Sequence, residues 1–199
     1  MLAYSVRNRA RKAALIQHFM RAYALETVIF VGVAGESPQV NEDVLERAVE
    51  RAGRVVGAFN VYPAKTPWPF VVADARAMPF RDYAADLVIS SAIIEHVGDE
   101  LDQRLFVAEH RRVGRAWVVT TPNKWFPVES HTTTILRHWS PAWRRDRPEF
   151  TRLLSRREFR ALLPAGVRLV GRPWSPTFIA FSSPETKNRR STRPEVFSR

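Results

Sequence analysis

Six residues at 28–33, V-I-F-V-G-V, constrain this chain more than any other stretch. The run is short, almost wholly apolar and rich in β-branched side chains, the pattern of a strand buried on both faces within a parallel sheet. Gly32 and Gly35 break it. The spacing then predicts a helix over 41–52, with Glu42 and Asp43 in its first turn to complement the dipole and Gly53 closing it. Strand, glycine-bearing turn and helix open a βαβ unit, and a parallel sheet continues only through such crossovers.

The alternation goes on along the chain. Strands are predicted at 54–61, 69–73, 86–91 and 115–121, a helix at 99–112, and a closing pair of strands at 167–172 and 177–181. A short helix at 155–163 carries Ser155 and Glu158 in the spacing of a capping box. The reading is α/β: a doubly wound, mostly parallel seven-stranded sheet with helices on both faces. Before it, apolar Ala10, Leu15, Ile16, Phe19 and Tyr23 recur at helical spacing between Arg and Lys, which makes 1–26 an amphipathic helix laid on the domain. The domain itself spans 27–182. Its stretch 122–150, rich in Pro, Trp and His, is too long for an ordinary connection and is expected to act as a substrate-covering insertion. The last residues, 183–199, are polar and basic and are expected to be disordered.

A length of 199 residues with 45% hydrophobic content suits one core and not two. Cysteine is absent, so disulfides, thiolate nucleophiles and Cys-based metal sites are excluded. A net charge of +11 draws anions without choosing among them, and Arg, which heavily outnumbers Lys, is spread along the chain rather than clustered. No apolar stretch reaches transmembrane length and no secretory signal opens the chain, so the expected compartment is the cytoplasm.

In open parallel sheets, ligands lie beyond the carboxyl ends of the strands, where strand order reverses. The residues standing there are Gly32 to Glu36 after the first strand, Phe59 and Asn60 after the second, Asp74 and Ala75 after the third, Ser90 to His96 after the fourth, and Thr120 to Asn123 after the fifth. The run A-D-A-R-A-M-P-F-R-D-Y-A-A-D-L-V-I-S-S-A-I-I-E-H-V at 73–97 closely resembles that of the Rossmann-like (class I) S-adenosylmethionine-dependent methyltransferases of the type 11 kind. Asp74, Pro79, Phe80, Asp86, Glu95 and His96 carry the match. The resemblance implies S-adenosylmethionine as cofactor, with Asp74 accepting from the adenine amine and the Ala75 N–H facing a ring nitrogen. Gly32, Ala34 and Gly35 would line its methionine part, Asn60 would meet a ribose hydroxyl, and Ser91 would form a wall. Asp86, opening a strand, reads as structural.

The glycine turn departs from the family pattern: Phe30 stands where an acid is usual and Glu36 where a glycine is. Asn60 replaces a carboxylate, giving up the stronger charge-assisted bond, a difference of about 1 kcal/mol. For the reaction, a methyl displacement needs alignment above all, and a base for protonated acceptors. His96, His131 and Glu129 are the candidates, with Trp125 and Phe126 as apolar walls and His138 and Trp139 packing the insertion. No tight ligand spacing supports a metal. The expected acceptor is a small molecule or a glycan or lipid precursor; nucleic acid is less favoured, because no base-pocket motif follows the fourth strand. The alternative from another class is a binding protein that keeps the fold without catalysis. Oligomeric state is not legible.

Overall fold

The computed structural model describes residues 2–33, 44–128, 135–140, 142 and 152–184, with side chains from residue 7 onward. In chain order its elements are α1 (Leu2–Ala22), β1 (Thr27–Val31), α2 (Val44–Glu50), β2 (Arg54–Asn60), β3 (Phe70–Val72), β4 (Ala85–Ser91), α3 (Glu100–Val113), β5 (Gly114–Pro122), α4 (Arg156–Leu162), β6 (Arg168–Val170) and β7 (Thr177–Phe181). Single 3-10 turns occupy Ile94–His96 and Arg137–Trp139. The strands form one seven-stranded sheet in the order β3-β2-β1-β4-β5-β7-β6, parallel from β3 to β5, with β7 antiparallel to both of its neighbours. All seven expected strands are present within a residue or two of their expected ends.

Alternation along the strands divides the core into two layers. Ile29 and Val31 of β1, Val88 of β4, and Trp117 and Val119 of β5 face α3 and α4, packing with Phe106 and Phe159. Val28 and Phe30, Leu87 and Ile89, and Ala116 and Val118 face the other way, onto α1 and α2. Helices therefore cover both faces. Neither the β2–β3 connection nor the β3–β4 connection contains a helix, so the β3 edge is thin: Val71 and Val72 are exposed.

The two helices of the α3/α4 layer begin with reciprocal caps. Asp99 accepts from the N–H groups of Leu101 and Asp102 while Asp102 reaches back to the Asp99 N–H. Ser155 and Glu158 do the same for α4, as their spacing predicts. Asp86 is structural, as expected. Its Oδ2 accepts from the N–H groups of Glu26 and Thr27 and from Thr27 Oγ1, and its Oδ1 takes Arg115 Nη1 at 2.8 Å. Burial alone would raise this carboxyl, but those donors hold its pKa at about 2.

α1 differs from its expected face. Ala10 and Tyr23 are exposed, and the stripe that meets the sheet is Lys12, Ala13, Ile16 and Met20, with Leu15 and Phe19 at its margins. Spacings of three and four residues link these positions equally well, but Lys12 hides the stripe from any search for apolar periodicity. Among the described residues, no helix is long and apolar enough to cross a membrane.

Candidate functional site

Strand order reverses between β1 and β4, and the expected residues gather at the carboxyl ends around that point. Val31 pairs with Ser90, which sets Gly32 beside Ser91. Gly32 has φ +78°, and a Cβ on it would stand 2.2 Å from Ile93 Cδ1. Both the backbone conformation and the close passage of the β4 turn therefore require glycine there. Its N–H donates to Phe59 O at 2.8 Å, folding the β1 turn over the end of β2. Ala34 and Gly35, expected to complete this turn, lie outside the described residues, as does Glu36.

Asn60 closes the same corner. Its Nδ2 donates to Val33 O at 3.0 Å and its Oδ1 accepts from the Val61 N–H at 2.8 Å. The amide thus fixes the β1 turn to β2, and Oδ1 keeps one lone pair for a ligand hydroxyl. Asp74 caps its own turn, accepting from the Arg76 N–H at 2.8 Å, and the Arg76 guanidinium spans both of its oxygens and reaches Asp102 at 2.8 Å. The hydrogen bonds from Arg76 hold the Asp74 carboxyl below its usual range. Ala75 is buried directly behind it. Arg76 escaped the sequence reading, although its place two residues after an Asp is a recurrent turn arrangement.

Phe30, the residue standing in for the family's acid, points away from the strand ends. It is buried in the α1/α2 layer with its ring 5.2 Å from that of Trp68. Phe59 likewise packs inward, against Phe80.

Beyond β4 and β5, polar residues are drawn to opposite faces. Thr120 Oγ1 donates to Ser91 Oγ at 3.3 Å, and Lys12 Nζ, from α1, donates to the same oxygen at 3.1 Å. One residue on, Thr121 Oγ1 donates to Oε2 of the fully buried Glu95 at 3.0 Å. Among the described residues, Ser90 Oγ is buried with no hydrogen-bond partner. His96 closes the 3-10 turn, half-buried, next to Glu95. Lys12 is not a site residue in the sequence reading, whereas Thr121 falls within the expected stretch after the fifth strand.

Asn123 then clips two loops together. Its Nδ2 donates to the carbonyls of Pro173 and Ser175, and its Oδ1 accepts from the Trp125 N–H. Trp125 and Trp174 thereby flank one amide, while Trp139 donates from Nε1 to Lys124 O and packs edge-on to Trp125. All three indoles are exposed, with Lys124 over Trp125 and Arg172 over Trp174. Glu129 and His131 lie outside the described residues, as does the side chain of His138. Among the described residues, no cluster of three or more acidic and His side chains could hold a metal ion. A cavity of about 380 Å³ lined by Arg111, Arg115, Trp117, Val167 and Ser182 lies at the other, amino-terminal end of β5 and contains none of these residues.

The model of a methyltransferase domain family matches residues 39–116, which run from α2 to β5 and include Asn60, Asp74, Ser91 and His96. The match spans less than half of the chain and marks that stretch as similar to a methyltransferase domain. Solved structures share the fold across most of the chain. A protein of Pyrococcus horikoshii OT3 covers 89% of this chain over 91% of its own at 16% identity, with a TM-score of 0.56. An Archaeoglobus fulgidus S-adenosylmethionine-dependent methyltransferase covers 85% over 94% of its own at 13% identity, with a TM-score of 0.53. The 1,6-didemethyltoxoflavin-N1-methyltransferase of Burkholderia thailandensis, solved with S-adenosylhomocysteine, covers 89% over 79% of its own at 12% identity and a TM-score of 0.52. No curated protein sequence matches the chain. At the strand ends the Ile93 side chain fills the space beside Gly32, and Asp74 carries its carboxylate, bridged by Arg76, beyond β3.

Proposed function

We propose that the protein methylates a small molecule or a glycan or lipid precursor, with the cofactor lying across Gly32, Asn60, Asp74, Ala75 and Ser91 and the acceptor against the tryptophans gathered by Asn123. The observation that carries the acceptor assignment is the Asn123 clip. It spends three hydrogen bonds on holding Trp125 and Trp174 outward at the carboxyl edge, beside the end of β4. Exposed indoles offer apolar faces to sugar rings or prenyl and acyl chains, and their N–H groups offer a polar handle. Lys124 and Arg172 beside them suit an acceptor that carries phosphate or carboxylate.

The cofactor supplies an electrophilic methyl on a sulfonium. The protein's share is alignment and desolvation. Arg76 fixes the Asp74 carboxylate for an exocyclic amine, and Gly32 allows close backbone approach. His96 takes the acceptor's proton where one must leave, with Glu129 and His131 of the insertion as further bases.

Calorimetry with S-adenosylhomocysteine on wild type and Asp74→Ala tests the cofactor half: micromolar binding lost at least tenfold in the variant is the expected result. Methyl-labelled cofactor offered with small-molecule, amphiphilic glycan and nucleic-acid fractions tests the acceptor half. Label confined to nucleic acid would overturn this reading.

A further inference from the structure

Lys12 is the most unusual charged residue in the described chain. α1 runs from the carboxyl end of the sheet, where Asn8 Nδ2 donates to Thr177 Oγ1 at 3.1 Å, to the amino end, where Met20 O accepts from the Leu25 N–H. One turn after Asn8, the Lys12 side chain turns inward beneath the ends of β4 and β5 and is only 9% exposed. Among the described residues its one hydrogen-bond partner is the neutral Ser91 hydroxyl, and none of their carboxylates forms an ion pair with it. Burial and Arg9, one turn back, pull its pKa down, while the more distant Glu95 and Glu46 pull it up.

A buried ammonium that spends one of its three protons on a neutral oxygen is costly unless an anion arrives. A structural lysine would either carry its head to water or take a carboxylate partner. This one is instead held by Ser91, next to Gly32 and the β1–β4 switch point. The methionine end of the cofactor lies there on the reading above, and that end carries an α-carboxylate.

We infer that Lys12, seated by Ser91, is the binding residue for the α-carboxylate of the cofactor, so that α1 is part of the cofactor site although it lies outside the strand-end turns. This rests on the cofactor reading of the previous subsection. The Ser91 hydroxyl accepts from both Lys12 and Thr120, which leaves its own proton for one carboxylate oxygen and two Lys12 protons for the other.

The test uses two ligands that differ only in the carboxylate: S-adenosylhomocysteine and its decarboxylated analogue, titrated calorimetrically into wild type, Lys12→Met and Lys12→Gln, with melting temperatures as the check on folding. Wild type is expected to favour S-adenosylhomocysteine by at least tenfold. Either variant should lose that preference while binding the decarboxylated analogue within twofold of wild type. Two variants are used because Met keeps the shape and Gln the polarity, so a fold lost to one is not lost to both. Equal wild-type affinity for both ligands, or a preference that survives in the variants, would overturn the inference and leave the cofactor reading standing. Binding of neither ligand by folded wild type would overturn both.

Discussion

The two layers packed on the sheet are built by different means. The α3/α4 layer holds Phe106, Phe159, Phe178 and Leu154 fully buried, and both of its helices start with reciprocal side-chain caps. The α1/α2 layer buries Ile16, Met20 and Phe30 beside Ala13 and Ala58, and admits a buried lysine. The first layer carries strong local signals and buries Glu95, Gln103 and His110 among its apolar side chains. The second brings a cation to the ligand edge, and such placements concentrate where binding is selected over stability.

The sharpest way to break this contrast is to empty one side. Phe159→Ala should cost about 3–5 kcal/mol of unfolding free energy, read in urea, from lost burial and the cavity left behind. A loss under 1 kcal/mol would mean the α3/α4 layer is not the mechanical core. The same layer should also fail first in acid. His110 is fully buried, its Nδ1 donating to Phe106 O at 2.7 Å in the neutral ring, and burial pulls its pKa down from 6.5 to about 4. Between those values the unfolded chain holds a proton that the folded chain does not, so stability falls as pH drops from about 6.5 toward 4, by about 3 kcal/mol in full. His110→Gln should flatten that slope in melts taken across the window.

At the edge between the layers, Gly32→Ala should cost about 1–2 kcal/mol and weaken S-adenosylhomocysteine binding more than tenfold, because left-handed strain adds to the clash with Ile93. An unchanged affinity would place the ligand elsewhere. Ser155→Ala should cost about 1 kcal/mol with no effect on binding, since it removes only the α4 cap. Smallest in stability is Trp174→Ala. Its indole is exposed, so melting should barely move, while KM for the acceptor rises.

What the sequence disclosed follows the same division. Strands and caps are local patterns: the run at 28–33, the Ser155–Glu158 spacing and Asp86 at a strand start could all be read without knowing any partner. Within the candidate site, the turn roles of Gly32 and Asp74 were legible, because a turn there demands a particular residue, but less so wherever a side chain's contacts depend on a distant element. Asn60 shows its amide bound to Val33 only once β1 and β2 pair. Lys12 reads as a solvent-facing charge until α1 is laid on β4. Thr121 looks like any β-branched strand residue until Glu95 folds back beside it.

Thr120 and Thr121 sit side by side on β5 and, because successive residues of a strand face opposite ways, they serve opposite layers. One leads through Ser91 to a basic side chain, the other to an acidic one. The mouth of the sheet therefore has a polarity across its thickness, cation on the α1 side and carboxyl group on the α3 side.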